Sequence, residues 1–423
     1  MNSLETYLAR QTHFIPLVEE PPDNSLQLVI TLPAYKEERL NDTITSIAKC
    51  CLPGDVKAEL LVLVNEPEDC TSEVRKLNHR VASQAKELSR SVSRDNFHCK
   101  VLEKQLPVKH AGAGFARKIL MDEATYRFNK INNERGIIVS CDADAIYEKN
   151  YLSEIVRLFN FNPDTTGCSV YFEHDVDNPD FSGEVREAAS LYELYLRYYN
   201  QATRSSGFPH ARHTVGSAFA VSANVYSRQG GMNKRQGGED FYFLHKVIPL
   251  GNYHDLQSTR VILSPRPSDR APFGTGATVR KMMQSGQNTF LTYNYQSFVD
   301  LRDLFERIDM LFQSKEKEHF RFLDSLSLSL QKFLQNNNWS DKINEINANV
   351  KSVETFRKRF FQWFNAFRFL KFLNYSHEIY YQKEDVRTCV LKLLSDFDYS
   401  VNNTDIRTIL ESMRRFEKNK ENY

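Results

Sequence analysis

The chain has 423 residues, of which 41% are hydrophobic and 26% are charged, and its formal net charge is +1. This length accommodates two domains, or one large domain with an appendage, and the near-neutral charge argues against nucleic acid as a partner. The seven cysteines include no Cys-x-x-Cys pair, and their odd number argues against a disulfide framework. The sequence contains no signal-peptide pattern and no stretch long enough for a membrane span, so we expect a cytoplasmic protein.

The first part of the chain alternates short apolar runs with segments of helical spacing. Residues 1–25 are expected to form an N-terminal extension that ends in a Pro-Pro linker. Strands are predicted at residues 28–32, where Pro33 is expected to stop the strand, and at 59–64, 97–102 and 137–140, with helices at 37–49, 72–93 and 116–128. This alternation is typical of a parallel α/β sheet.

The alternation continues to about residue 290 and then stops. Further strands are predicted at 167–172 and 259–263, with helices at 184–203 and 237–247 and a loop rich in Pro, Arg and Gly at 264–276. Beyond residue 290 glycine is absent and helical spacing dominates. We therefore predict an α/β domain at 26–290 and a helical C-terminal domain at 291–423.

The most informative segment is GIIVSCDADAIY, residues 136–147. Its apolar run predicts a buried strand that ends at Asp142-Ala143-Asp144. Ligands of open α/β sheets bind beyond the carboxyl ends of the strands, and Mg²⁺ takes one or two carboxylates together with substrate phosphates. Asp142 and Asp144 are therefore predicted to hold Mg²⁺ or Mn²⁺ with a diphosphate. Two other Asp-x-Asp triplets, at 175–177 and 396–398, follow no such strand.

Four features of the sequence occur in one order that resembles the family 2 glycosyltransferases of the GT-A fold, over about residues 26–280. They are a strand ending in Pro33-Ala34-Tyr35 with Glu37, a Gly-rich loop before Arg117, the strand-end Asp142-Ala143-Asp144, and Gly237-Gly238-Glu239-Asp240 at a helix start. The resemblance implies a Rossmann-type, mostly parallel sheet flanked by helices. It also implies inverting transfer of a sugar from a nucleotide-diphosphate donor to a hydroxyl acceptor.

The resemblance and the residue types together define a predicted site. The predicted nucleotide-sugar ligands are Pro33, Ala34, Tyr35, Glu37, Asn65, Gly112, Gly114, Arg117, Asp142, Asp144, Arg266 and Arg270. Asp240 matches the catalytic base of the family, and Glu239 is expected to bind acceptor or orient the site. Gly216 and Ser217 are expected to line the acceptor side, because small residues leave room for a sugar.

Each of these assignments has a structural alternative. Glu239 and Asp240 are also favourable charges for the first turn of a helix. Arg117 is equally suited to a helix-surface ion pair, and Gly216-Ser217 to close packing of a strand. Arg266 and Arg270 also fit an ordinary loop with solvated arginines.

The sequence departs from the family pattern at three places. Lys36 stands where the family usually carries Asn, and Asn65 replaces an acidic residue, which leaves the nucleotide base open. No histidine follows the strand at 259–263, and His254 precedes it. The metal therefore has fewer protein ligands, or Arg266 and Arg270 supply positive charge in its place.

Residues 356–373, FRKRFFQWFNAFRFLKFL, combine basic and aromatic residues at helical spacing. A basic amphipathic helix of this kind can lie on an anionic membrane surface, which would suit a lipid-linked acceptor. However, an aromatic stripe at this spacing is more often the core of a helical domain. Peripheral membrane contact through this stretch is therefore one of two predictions.

Three functions are compatible with these patterns. The leading one is a metal-dependent glycosyltransferase of polysaccharide or glycoconjugate assembly, with a UDP-sugar as the expected donor and a saccharide or lipid-linked acceptor. The second is a nucleotidyltransferase that makes nucleotide-sugars, although LPAYKEERL lacks the glycine such enzymes carry after the first strand. The third is a non-catalytic scaffold that keeps a glycosyltransferase-like domain.

Overall fold

The computed structural model describes residues 2–11, 14–286 and 288–419. The chain divides into two compact units, here called the sheet unit (1–189 and 214–285) and the helical unit (190–213 and 286–423). Residues 1, 12 and 13 of the predicted extension and residues 420–423 of the predicted C-terminal domain lie outside the described residues.

The sheet unit consists of one sheet with helices around it. Its strands are β1 (Leu26–Ala34), β2 (Lys57–Pro67), β3 (Phe97–Leu106), β4 (Ile137–Ser140), β5 (Ala145–Tyr147), β6 (Gly167–His174), β7 (Phe219–Ser222) and β8 (Tyr253–Leu263). Its helices are α1 (Ser3–Ala9), α2 (Leu40–Ala48), α3 (Ser72–Val92), α4 (Ala113–Lys130), α5 (Tyr151–Phe161), α6 (Gly183–Ser205), α7 (Ala223–Arg228), α8 (Glu239–Val247) and α9 (Thr275–Ser285). Short 3₁₀ turns occur at Val108–His110 and Ile248–Leu250, and the boundary between the two units falls within α6.

The strand order is β3-β2-β1-β4-β7-β6-β8-β5. Strand β1 is parallel to β2 and β4, β2 is parallel to β3, and β6 is parallel to β8. Strand β7 is antiparallel to both of its neighbours, and β5 is antiparallel to β8. The predicted α/β class with a mostly parallel sheet is confirmed, and the carboxyl ends of β1, β2 and β4 share one edge.

Strand β1 continues to Ala34, whereas the sequence predicted that Pro33 would stop it. The carbonyl of Thr31 accepts a hydrogen bond from Cys141 N (3.0 Å). In a strand, the backbone polar groups of alternate residues point to the same side, so those of Thr31 and Pro33 both point toward β4. The ladder between β1 and β4 ends at Thr31. At Pro33 no β4 residue is left to accept a hydrogen bond from a backbone N–H. A proline, which has no N–H, is therefore tolerated there.

The N-terminal residues are part of the sheet unit's core, which corrects the prediction of an extension. Leu4 and Tyr7 of α1 are buried. The Tyr7 hydroxyl donates to Asp122 Oδ1 (2.7 Å) and accepts from Lys118 Nζ (2.8 Å), and both of these residues lie on α4. Neither α1 nor its polar partners were evident in the sequence, because seven residues give too short a periodic pattern.

The helical unit confirms the predicted helical character of the C-terminal part. Its helices are α10 (Tyr295–Arg307), α11 (Glu316–Asp324), α12 (Leu328–Gln335), α13 (Trp339–Ala348), α14 (Val353–Trp363), α15 (Ala366–Ile379), α16 (Val386–Asp396) and α17 (Ile406–Lys418). A 3₁₀ turn spans Ile308–Leu311. The one departure among the described residues is a short antiparallel pair of β9 (Leu291–Thr292) and β10 (Glu384–Asp385), which the sequence did not predict.

The basic aromatic stretch forms two helices rather than one. Helix α14 ends at Trp363, and the Asn365 side chain caps α15 by accepting from the N–H groups of Phe367 and Arg368. The aromatic side chains at positions 356, 360, 364, 369 and 372 are buried in the helical unit. This apolar face is thus part of the core, which is the alternative that the sequence favoured over membrane contact through 356–373.

Crossing a bilayer requires a long and almost uniformly apolar helix. No helix within residues 2–11, 14–286 and 288–419 has that combination of length and hydropathy.

Tyr7→Phe should destabilise the protein by about 1–3 kcal/mol, because it removes a buried hydrogen-bond partner of Asp122 and Lys118. Thermal unfolding measures the effect. Tyr126→Phe on α4 is the matched control, since Tyr126 is half-buried and no hydrogen bond of its hydroxyl is found among the described residues. Equal melting temperatures for the two variants would contradict the assignment of α1 to the core.

Candidate active site at the carboxyl edge of the sheet

The structure brings most of the predicted site residues to one edge of the sheet unit. Asp142 and Asp144 directly follow β4, and Glu37 follows β1. Glu239 and Asp240 form the first turn of α8, where negative charge interacts favourably with the helix dipole. These five carboxylates and the arginines that bind them are called the carboxylate site below.

The backbone of the Asp142–Asp144 turn is fixed from three directions. The preceding residue, Cys141, donates its N–H to Thr31 O on β1 (3.0 Å). Asp142 N donates to the hydroxyl of Tyr147 (3.0 Å), and the Thr43 hydroxyl on α2 donates to the carbonyl of Ala143 (2.8 Å). The two carboxylates are thus presented by a rigid turn.

Arg117, on α4, is buried at the centre of the carboxylate site with only 2% of its surface exposed. Its Nε donates to Glu239 Oε1 (3.2 Å) and its Nη2 to Asp142 Oδ1 (2.7 Å). Its Nη1 donates to Ser140 Oγ (2.5 Å) and to the carbonyl of Gly216 (3.0 Å). Each nitrogen of the guanidinium thus already has a protein acceptor, so the ion pair is buried rather than on the helix surface, and the burial argues against the predicted diphosphate contact.

Arg117 remains cationic in this environment. Burial alone would lower the pKa of the guanidinium, but the neighbouring Asp142 and Glu239 carboxylates outweigh that effect and raise its pKa. The site therefore contains one permanent buried positive charge between the strand-end aspartate and the start of α8.

Gly216 and Ser217 are buried and pack against the carboxylate site, which agrees with the close-packing alternative, and their acceptor role stays a prediction. Ser217 is 1% exposed. A methyl group built on Gly216 would lie 2.8 Å from Arg117 Nη2 and 3.1 Å from Asp240 Oδ2. These two polar atoms therefore lie within about 6 Å of each other, and the absence of a side chain at 216 makes room for both.

Asp240 is half-buried at the start of α8. Its Oδ1 accepts from the N–H of Phe241 (2.7 Å), and the preceding Gly238 has φ +70°, a left-handed conformation that glycine adopts without strain. Burial and the adjacent Glu239 raise the pKa of Asp240 to about 7, against the opposing charge of Arg117. Its carboxyl group thus titrates near neutral pH, where a general base works best.

Gly112 and Gly114 serve a contact between two protein segments. A methyl group on Gly114 would lie 2.2 Å from the carbonyl oxygen of Arg235, and one on Gly112 would lie 3.0 Å from Gln236 Cα. The start of α4 therefore packs directly on the loop that leads into α8. This packing explains both glycines without a ligand, and their approach to a donor sugar or diphosphate stays a prediction.

Arg266 and Arg270 bind the carboxylates that follow β1 and β4. Both donate to Glu37 Oε2 at 2.5 Å, Arg266 through Nη2 and Arg270 through Nη1. Arg270 Nη2 also donates to Asp144 Oδ2 (2.7 Å). The far end of this arginine loop is held by a hydrogen bond between His174 Nε2 and Thr275 Oγ1 (2.7 Å).

The predicted nucleotide-facing residues differ in their exposure. Pro33 and Tyr35 are half-buried, whereas Ala34 and Asn65 are buried. Asn65 is 5% exposed, so its side chain has little surface to offer a base or ribose.

Asn78 on α3 is a residue that sequence reasoning missed. Its side chain accepts from Lys36 N (3.0 Å) and donates to the carbonyl of Asn65 (3.4 Å), so it joins the segment that follows β1 to strand β2. Lys36 has φ 52°, a left-handed conformation in which asparagine is enriched among non-glycine residues. No sequence pattern marks Asn78, because it is one of many polar residues in the long helix α3.

The donor set at the sheet edge fits a metal only when a ligand supplies part of its shell. Among the described residues, no group of three or more His, Cys, Asp or Glu side chains is arranged to hold a metal ion. Asp142 and Asp144 each bind an arginine through one oxygen, and their side chains are 38% and 35% exposed. Two partly exposed carboxylates are the usual protein share of a Mg²⁺ site whose other ligands are phosphates and water.

No protein-family model and no curated protein sequence matches this chain. Among solved structures, S. aureus TarS 1–349 in complex with UDP-GlcNAc has a TM-score of 0.41 and 10% identity, over 80% of this chain and 92% of that one. The same TarS fragment with UDP has a TM-score of 0.37 and 12% identity, over 93% and 92%. The mannosyltransferase PcManGT from Pyrobaculum calidifontis, in complex with GDP-Man and Mn²⁺, has a TM-score of 0.33 and 13% identity, over 99% and 96%.

Similarities at this level describe what the chain resembles and carry no argument about its activity. Membership of glycosyltransferase family 2 stays a prediction.

Gly114→Ala should destabilise the protein by about 1–3 kcal/mol, because the new methyl group would meet a backbone carbonyl that cannot move aside cheaply. Thermal unfolding measures this effect. Gly183→Ala is the matched control, because nothing lies within 4 Å of a methyl group at that position. A neutral effect at both positions would contradict the packing of α4 on the loop before α8.

Proposed function

We propose that the chain transfers a sugar from a nucleotide-diphosphate donor to an acceptor hydroxyl, with inversion at the anomeric carbon. The observation that carries the proposal is that one arginine, Arg117, lies next to a carboxylate at a strand end and to another at a helix start. Arg117 binds Asp142, which follows β4, and lies within about 6 Å of Asp240 at the start of α8. A group suited to a metal–diphosphate and a group suited to proton abstraction are thus held in one site.

Asp240 is proposed to be the general base. In a single displacement, the acceptor O–H proton passes to the Asp240 carboxylate while the acceptor oxygen bonds to the anomeric carbon. The bond between that carbon and the phosphate oxygen breaks, and the nucleoside diphosphate leaves with the bonding electrons. One base suffices for this reaction, and its pKa near neutrality balances ionisation against basicity.

Asp142, Asp144, Arg266 and Arg270 are proposed to bind the donor diphosphate. The arginines are planar donors suited to bidentate phosphate contacts, and the loop that carries them is bound to Glu37 and Asp144. Asp142 and Asp144 would hold Mg²⁺ or Mn²⁺, whose chemistry is Lewis-acid stabilisation of the charge that develops on the leaving diphosphate.

The substrates follow from the chemistry of the site only as classes. The donor is proposed to be a nucleotide sugar, with UDP as the expected nucleotide, and the acceptor is a hydroxyl of a saccharide or glycoconjugate. A place in polysaccharide assembly in the cytoplasm is part of the same proposal.

Asp142→Ala should abolish Mn²⁺-dependent binding of the nucleoside diphosphate, whereas Asp240→Asn should leave binding intact and lower transfer at least about 100-fold. Calorimetric titration with UDP and GDP measures binding, and release of nucleoside diphosphate from their sugar derivatives measures transfer. Asp164→Ala, at an exposed loop residue, is the control.

Two results would contradict this assignment. One is metal-dependent nucleotide binding that survives in Asp142→Ala, and the other is full transfer by Asp240→Asn. Failure of the wild-type protein to bind either nucleotide, with or without Mn²⁺, would favour the scaffold function instead.

The rate of transfer should rise with pH through about pH 7 and reach a plateau above it. The raised pKa means that Asp240 is largely protonated below that pH and cannot accept a proton, whereas above it the carboxylate is ionised. A profile of kcat against pH measures this titration. A constant kcat across neutral pH, with chemistry shown to limit the rate, would contradict the role of Asp240.

A further inference from the structure

We propose that Arg117 is the positioning residue that couples the donor half of the carboxylate site to Asp240, and that it acts without touching substrate. The inference rests on the proposed function for its catalytic meaning. Its physical content, the control of Asp240 by Arg117, can be measured on the free protein.

The burial and the contacts of Arg117 argue against a direct role in substrate binding. Its three nitrogens donate to Glu239, Asp142, Ser140 and Gly216, and the side chain is 3% exposed. A diphosphate could reach this guanidinium only by displacing one of those partners. Arg117 therefore acts through the groups that it holds.

The groups that Arg117 holds belong to different parts of the chain. Asp142 follows β4, Glu239 begins α8, and Gly216 precedes β7. Since Arg117 itself lies on α4, one side chain fixes three segments relative to a fourth. The predicted donor ligand and the neighbour of the predicted base therefore cannot move independently.

The charges around Asp240 give Arg117 a second effect. Glu239 on the same helix and Asp142 after β4 both disfavour ionisation of Asp240, and Arg117 on α4 favours it. An opposite charge within about 4–6 Å typically changes a carboxyl pKa by 1–3 units. Arg117 thus lowers the pKa of Asp240 and lets it ionise although other carboxylates lie close to it.

Arg127 provides a matched control on the same helix. It is 1% exposed and binds Glu59 with two nitrogens, including an Nη2 to Oε1 contact of 2.6 Å. It also donates to the carbonyl of Glu20 (3.0 Å). Its replacement removes an equally buried arginine–carboxylate pair that has no part in the carboxylate site.

The experiment compares Arg117→Gln and Arg117→Lys with Arg127→Gln and Arg127→Lys in the full-length chain. Aspartate labelled with ¹³C at the side-chain carboxyl allows NMR titration, and the Asp240 signal is assigned by its absence in Asp240→Asn. Calorimetric titration with UDP and GDP, each with Mn²⁺ and again with a chelator, measures the donor half. Thermal unfolding of each variant shows whether a change in the Asp240 titration or in nucleotide binding comes only from lower stability.

Arg117→Gln should raise the Asp240 titration midpoint by at least about one pH unit, a tenfold gain in proton affinity, because the compensating charge is lost. Arg127→Gln should leave that midpoint unchanged even if it unfolds at a lower temperature. Equal Asp240 midpoints in wild type and Arg117→Gln would overturn the proposal.

Arg117→Lys keeps the charge but cannot reach all of the acceptors at once. It should weaken Mn²⁺-dependent nucleotide binding by about tenfold, the usual cost of removing a residue that orients a ligand, while Arg127→Lys binds as wild type does. If Arg117→Gln does not fold, this comparison still tests the positioning role of Arg117. Unaltered nucleotide binding by Arg117→Lys would overturn the coupling to the donor half.

The two readouts separate the inference from the proposed function. If wild-type protein bound neither nucleotide, the proposed function would fail, and the Asp240 titration would still test its control by Arg117.

Discussion

The carboxylate site depends on burying one guanidinium. Removing a charged group from water costs several kcal/mol unless opposite charges and hydrogen-bond acceptors replace the lost hydration. Arg117 receives these from a strand end, a helix start and the segment before β7. Ser140 and Glu239 supply side-chain acceptors, whereas Gly216 supplies a carbonyl and leaves space for the guanidinium.

The same constraint sets the charge of the site. Five carboxylates (Glu37, Asp142, Asp144, Glu239 and Asp240) face three arginines (Arg117, Arg266 and Arg270). Burial raises the pKa of Asp144 as well, with Arg270 opposing the effect. An incoming diphosphate would add negative charge, so it must bring a cation or draw the arginine loop away from Glu37 and Asp144. Charge balance is thus a physical reason to expect that a divalent cation strengthens donor binding.

The sequence was informative where a residue's role depends on its own element. Short apolar runs predicted the strands, and a strand that ends in two aspartates predicted where carboxylates would gather, because parallel strands end at a common edge. The helix that begins at Glu239 could also be predicted from its own residues, because two glycines and two acidic residues precede its apolar positions. The aromatic stripe at 356–373 left two options open, since helical spacing gives the buried face of a helix but not what covers it.

The sequence was uninformative where a role depends on contacts between distant segments. Gly112 and Gly114 contact residues more than 120 positions away, and Arg117 binds groups up to 122 positions away. Nothing in the local pattern distinguishes such residues from surface or loop residues. Pro33 shows the same limit within the sheet, because its tolerance depends on where a neighbouring strand stops.

The most direct test of this account is a crystal structure of the wild-type protein grown with UDP and Mn²⁺, and with GDP and Mn²⁺. The account predicts that one nucleotide binds at the carboxyl edge of the sheet, with its diphosphate and the metal at Asp142 and Asp144. Arg266 and Arg270 would then contact phosphate, while Arg117 would keep its protein partners. A nucleotide bound elsewhere, or one bound at this edge with its diphosphate away from Asp142 and Asp144, would contradict the account.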